Sequence, residues 1–361
     1  TCFIIFQKTK PNTVKLGEYI NEQVEIVAEV KPEELIDEQS IINISLMKNK
    51  KYLDILEKIE LNSVQLNDVS KPSTGLKAYQ VGKGKPPQTD EIKESRAYHS
   101  KEKIDDSYIP YLEGADVKRY SLDWTGEYLK YGDHLAEPRK SVPFDGPRIL
   151  VRQIPTKGFY AINAAYTEKH YLNDINSMVI FNFKENPLFL LGVINSKIIT
   201  FWFINKFDKF QRKTFPQFKV KELKLFPIPQ VSVAKKKEIA ALVDEMLKLQ
   251  REKAKFYKKF EIIIQNELEI DTVPPMFHKF YEWTSNEWLE RIIKMKKITL
   301  SQRGDWLDFY DKNKEFIMKY MEKEETLNQL IDLKVAEAFG LSKEETELVD
   351  TSLNEFLNEK K

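Results

Sequence analysis

The string PRILVRQIPTKG sets Arg148, Arg152, Gln153 and Lys157 on or beside one short apolar segment. Arginine presents two donors that match O6 and N7 of guanine, and glutamine can pair with N6 and N7 of adenine. These residue types suit the reading of base edges, although surface ion pairs use arginine equally well. A second group lies in residues 195–224. There Lys197, Lys206, Lys209, Arg212, Lys213, Lys219, Lys221 and Lys224 stand against only Asp208 and Glu222, with Gln211 and four phenylalanines (Phe207, Phe210, Phe215, Phe218) interleaved. Such a segment can follow a phosphate backbone while its rings anchor it to the protein, or it can be a solvated lysine-rich loop. Lys83, Lys85, Arg119 and Arg139 complete the set of cations taken as candidate contacts to nucleic acid.

Other chemistry finds little support in the spacing. The Pro-Pro pairs Lys85-Pro86-Pro87-Gln88 and Val273-Pro274-Pro275-Met276 lack the polar first and aromatic last residue of a loop that holds a flipped adenine. Gly82-Lys83-Gly84 is a lone GxG, which reads as a turn rather than a cofactor loop. The histidines His99, His134, His170 and His278 form no metal-ligand pair. Glu91-Ile92-Lys93 has the terminal ExK form of a magnesium nuclease, but no partner acid lies on a neighbouring candidate strand.

The totals frame these candidates. The chain has 361 residues and a formal net charge of +1, with 42% hydrophobic and 31% charged residues. That balance excludes bulk disorder and allows two domains, or one domain with a helical extension. The near-zero charge means that any basic face must be local. No apolar run approaches the roughly 20 residues of a membrane span, and no signal peptide is visible. Cys2 is the only cysteine, which excludes a disulfide framework within one chain and fits a cytoplasmic location. The start at Thr1-Cys2-Phe3-Ile4-Ile5-Phe6 reads as a strand entered mid-protein, so a fragment of a longer chain is expected.

The elements that must position the candidates follow from periodicity. Residues 1–8 read as a strand, and Leu53, Ile55, Leu56, Ile59 and Leu61 predict a helix running toward Asn62. From Lys71 the glycines 75, 82 and 84 and three prolines indicate turns between short strands. PRILVRQI (147–154) and MVIFNF (178–183) are the clearest strands. Leu188, Leu191, Ile194, Ile198 and Phe201 form one helical stripe of core residues. After Pro227 and Pro229, Ser232 can cap a long helix of about 30 residues, about 45 Å. Pro274-Pro275 breaks it, and a helical tail follows from about Ser285. Gly340 suits a left-handed C′ position, and Ser342 with Glu345 forms a capping box for a short last helix.

Several strings occur in a telling order: YLEGADVKRY (111–120), Trp124, YLKYG (128–132), LAEPR (135–139), FDGPRILVRQI (144–154), INSK (194–197) and LKLFPIP (223–229). Together they resemble the TaqI-like C-terminal specificity domain of adenine-specific methyltransferases of type IIG and related restriction–modification systems, over about residues 70–230. TCFIIFQK is similar to the last strand of the methyltransferase domain in those enzymes. LFPIP before a long helix resembles type I specificity subunits, and FGLSKEETELVD (339–350) resembles the helical ending of type IIG proteins, with Phe339 in place of Tyr.

The resemblance implies an α+β chain in three parts: residues 1–65, a methyltransferase remnant and connecting helix; residues 66–230, a mixed β-rich target recognition domain; and residues 231–361, an antiparallel helical spacer and C-terminal region. It implies double-stranded DNA and an N-terminal methyltransferase domain of the same polypeptide as partners. No catalytic residue and no cofactor is expected in this chain; S-adenosylmethionine, and magnesium if the parent cuts DNA, belong to the parent enzyme. Gly114, Asp116, Arg119 and Tyr120 match the family string, with a turn at Gly114 and a local Asp116–Arg119 salt bridge as the structural reading. A helical scaffold for subunit association, or an independent nuclease using Glu91 and Lys93, are the competing readings.

Overall fold

The computed structural model describes residues 12–20, 23–31, 50–207 and 217–358. The expected strand at 1–8, and Lys209, Gln211, Arg212 and Lys213, lie outside the described residues. Two strands, β1 (Val14–Ile20) and β2 (Gln23–Val30), pair antiparallel with Val14 opposite Val30. The sequence reading gave no strand there. The expected first helix is α1 (Lys50–Leu61), which buries Tyr52, Ile55, Leu56 and Ile59.

The central part then unfolds in short strands. β3 (Ser63–Gln65) is followed by β4 (Lys71–Thr74), β5 (His99–Ser100), β6 (Tyr108–Leu112), β7 (Val117–Lys118), β8 (Ser121–Leu122) and β9 (Tyr128–Lys130). β10 (Arg148–Arg152), β11 (Ala164–Thr167), β12 (Leu172–Asn173), β13 (Ser177–Phe181) and β14 (Pro227–Pro229) complete the set. Four of them form a sheet in the order β11-β10-β13-β4, and four more the order β12-β6-β9-β5. β10 is antiparallel to both neighbours, with Arg152 opposite Ser177 and Arg148 opposite Thr167.

Side chains alternate across a strand, so this first sheet can divide two cores. Ile149, Val151, Ala164, Met178 and Ile180 enter the larger core with the helices. Leu150, Ala165, Val179 and Phe181 enter a smaller core with Ile109, Leu112, Leu129 and Leu172 of the second sheet. A strand covered on both faces has no polar side, which is why SMVIF is buried throughout.

The single stripe read over residues 188–201 is two helices, α2 (Pro187–Ile194) and α3 (Lys197–Lys206), bent by 59°. Asn195 and Ser196 intervene, and the Ser196 side chain accepts from the Ile199 amide to start α3 afresh. Both helices are buried on nearly every side, so apolar periodicity could not show the break. β3 pairs with β14, Ser63 opposite Pro229, and this brings the start and end of the central part together.

α4 (Val233–Leu268) runs 36 residues from its Ser232 cap. A 3-10 segment (Pro275–Glu282) and α5 (Ser285–Met295) lead into α6 (Leu300–Ala338), 39 residues long. Lys334 pairs with Glu238, Gln250 with Glu324, and Phe256 stacks on Phe316. One number falls as the other rises, so α4 and α6 form an antiparallel arm. Its far end is closed by rings, with Phe260 and Phe280 at 4.8 Å and the Trp288 indole donating to the Trp306 carbonyl. Gly340, at φ +75°, ends α6 as expected, with the Leu341 amide donating to the Ala336 carbonyl at 3.0 Å. The capping box of Ser342 and Glu345 starts α7 (Lys343–Asn358). Glu345 also binds Lys58 at 2.8 Å, joining α7 to α1.

Candidate nucleic-acid interface

β10 carries an arginine at each end, and the two have different fates. Arg148 is fully buried. It donates to the carbonyls of Gly146 at 3.3 Å, Pro143 at 3.5 Å and Tyr171 at 3.0 Å, and closely to that of Lys169. Burial pulls its pKa down to about 10. Its donors are spent on stitching two loops to the sheet, so the expectation that Arg148 reads bases is corrected. Arg152 is half-buried, and among the described residues its guanidinium has no hydrogen-bond or ion-pair partner. Lys157 is exposed in the loop that follows.

Gln153 is also corrected: it is 2% exposed, donates to the Ile175 carbonyl at 2.6 Å and accepts from Lys219 Nζ at 3.1 Å. Its carbonyl accepts from the Phe218 amide. Gln153 therefore fastens the stretch 217–219 to the end of β10. That stretch is the exit of the basic segment, so the structure brings the segment's end to Gln153, the residue next to Arg152. At its entry Lys206 pairs with Glu60 at 3.1 Å. Phe207 and Phe218 are buried, with Phe218 5.0 Å from Phe203, so the interleaved rings within the described residues are anchors.

Lys83 and Lys85 are exposed in a turn pinned by buried Gln88, which donates to the carbonyls of Ala78 and His134. The Lys85 amide donates to the Asp133 carbonyl, setting this turn beside the loop that carries Arg139. Arg139 is ion-paired to Glu137. These three candidates share a neighbourhood, distinct in sequence from that of Arg152 and Lys157.

Arg119 is drawn inward. Its Nε donates to the Asn195 carbonyl at 3.0 Å and its Nη1 to Asn328 Oδ1 on α6 at 2.6 Å, while its guanidinium lies 3.7 Å from the Tyr160 ring centre. Both the nucleic-acid reading and the local Asp116 salt bridge are corrected, because Asp116 instead accepts from the Glu113 amide at 2.8 Å. Gly114 is required by close approach: a Cβ there would lie 2.6 Å from the Asn176 carbonyl oxygen.

Glu91 and Lys93 lie on an exposed single helical turn (Asp90–Glu94), which removes the strand geometry that the nuclease reading needs. Among the described residues no group of three His, Cys, Asp or Glu could hold a metal. His99 bonds the Tyr79 hydroxyl at 2.8 Å, and burial pushes its pKa down to about 4. Burial pushes Asp174, in the turn before β13, up to about 6. The sequence reading missed a row of exposed cations on α4, Arg251, Lys255, Lys258 and Lys259; their three-to-four spacing was the available signal. No single helix among the described residues is long and apolar enough to cross a membrane.

Comparison with known proteins gives two family matches. Residues 109–228 match the TaqI-like C-terminal specificity domain, and residues 232–335 match a domain of unknown function, DUF8810. No curated protein sequence matches significantly. Among solved structures, the chain is similar to a type IIL restriction-modification enzyme, MmeI, in complex with DNA, at 10% identity and a TM-score of 0.40, covering 82% of this chain and 37% of that one. It is similar to the HsdS subunit from Thermoanaerobacter tengcongensis at 12% identity and a TM-score of 0.29, covering 56% of this chain and 44% of that one. A type I R-M system structure gives 12% identity and a TM-score of 0.31, with 80% and 52% covered. The chain thus spans between about a third and a half of the length of these proteins. The β-rich part of this α+β chain, residues 109–228, is the part that matches the TaqI-like C-terminal specificity domain.

Proposed function

We propose that the chain is the sequence-specific double-stranded DNA recognition part of a bacterial restriction–modification DNA methyltransferase. The observation that carries this reading is that Arg152, unpartnered among the described residues, ends β10 and exposed Lys157 follows in the next loop, both within the stretch that matches the TaqI-like specificity domain. An arginine with free donors can discriminate a base, and a lysine beside it can hold the phosphate that sets the register. Arg251, Lys255, Lys258 and Lys259 on α4 add a second local basic face to a chain of near-zero net charge. The parent is an adenine-specific enzyme that uses S-adenosylmethionine, with magnesium if it also cuts. Its methyltransferase domain lies on the same polypeptide, in the cytoplasm.

The test is selection of preferred duplexes from a random library by the full chain, followed by a salt titration. One enriched motif is expected, with binding that weakens steeply as salt rises. Dimerisation or partner capture without any DNA preference would favour the scaffold reading, which the long α4–α6 arm supports.

A further inference from the structure

The loop after β10 is not held by its own sheet alone. Thr156 turns it back, donating from its hydroxyl to the Tyr160 carbonyl at 2.9 Å and from its amide to the Ala161 carbonyl at 2.9 Å. Lys157 and Gly158 form the tip. The two residues after the tip are both seized from outside the sheet. Phe159 lies under Lys197 Nζ at 5.3 Å, and Lys197 is itself paired with Asp350 of α7 at 3.1 Å. Tyr160 is stacked against the Arg119 guanidinium, and its hydroxyl donates to Asp332 Oδ2 on α6 at 2.7 Å.

Asp332 is buried, and its other oxygen accepts from the Lys197 amide at 3.0 Å. Burial raises the pKa of this carboxyl while the Arg119 charge opposes that rise. Arg119 also reaches Asn328, one helical turn earlier on α6. One cation, one phenol, one amide and one acid thus tie a β-domain loop to the arm, with Asn328 and Asp332 buried and Arg119 and Tyr160 half-buried.

We propose that Arg119, Tyr160, Asn328 and Asp332 are a latch through which the helical arm positions the DNA-reading loop, an inference that rests on the function proposed above. The arm then acts as the base on which Arg152 and Lys157 are aimed, and the four latch residues are positioning residues that touch no DNA. A loop free of the latch would sample several placements, and a bidentate contact at Arg152 would be satisfied in only a fraction of them.

The experiment uses the full chain, its selected duplex and a scrambled duplex. Tyr160→Phe keeps the ring and its stack and removes only the hydroxyl. Asn328→Leu removes the acceptor for Arg119, and Asn328→Asp restores one. Tyr160→Phe and Asn328→Leu are expected to weaken binding to the selected duplex roughly tenfold, about the effect of one hydrogen bond to a charged group. Binding to the scrambled duplex and the salt slope should not change, Asn328→Asp should bind like the unsubstituted chain, and amide exchange over residues 156–162 should quicken in the first two. Equal losses on both duplexes, or undiminished discrimination, would overturn the latch. If the unsubstituted chain prefers no duplex, the proposed function falls. Exchange then decides whether the latch holds the loop, and unchanged protection in Tyr160→Phe refutes it.

Discussion

The two ends of β10 hold the same residue type four positions apart and use it in opposite ways. Arg148 is surrounded by carbonyls from two loops, and Arg152 is left with donors unmet by the described protein. The difference comes from what each end of the strand abuts. At the Arg148 end the loops 143–146 and 169–171 close over the sheet, so the side chain is enclosed and must be satisfied internally. At the Arg152 end the strand runs out beside a turning loop held from the arm, and among the described residues no carbonyl accepts from the Arg152 side chain. An arginine in a specificity domain is thus a structural tie or a candidate reader according to its neighbours.

Three substitutions test that contrast. Arg148→Ala should have the largest effect, a loss of about 3–5 kcal/mol of folding stability, because the carbonyls it served are left buried and unpaired. A shift in the urea midpoint checks this, and a loss under about 1 kcal/mol would place Arg148 with Arg152. Arg152→Ala should leave the midpoint within about 0.5 kcal/mol and cost about 1–3 kcal/mol on the preferred duplex, relaxing one base position. Repeating the selection with this variant measures it, and an unaltered motif would remove Arg152 from the reading edge. Lys157→Ala should have the smallest effect, a weakening shared by all duplexes and a salt slope lower by about one. If one motif position relaxes instead, Lys157 reads a base.

Much of the frame was legible in the chain. The Ser232 cap, the apolar stripe of α4, Gly340 and the Ser342–Glu345 box are local signals, and each appears where the residues predicted it. β10 and β13 were legible for the same reason, as short apolar runs between turns. The β1–β2 pair is not legible in the sequence, because VKLGEYI and QVEIVAEV mix charged residues with only partial alternation. The break between α2 and α3 is hidden because both helices are buried on nearly every side, so no change in apolar periodicity marks it.

The candidate site was legible only as residue types. Composition marked Arg119, Arg148, Arg152, Gln153 and Lys157 as able to bind nucleic acid, and Gln153 and Arg148 prove to be internal ties. Hydrogen-bonding capacity is a property of a residue, and the sequence sets it outright, as it sets caps, turns and periodicity. Whether that capacity is spent inside the protein depends on carbonyls and carboxylates far away in sequence, as with Arg119 and Asn328, 209 positions apart. Only the packing of the arm against the β-rich part decides that, because a buried donor takes the nearest acceptor and an exposed one keeps its bonds for water or a ligand.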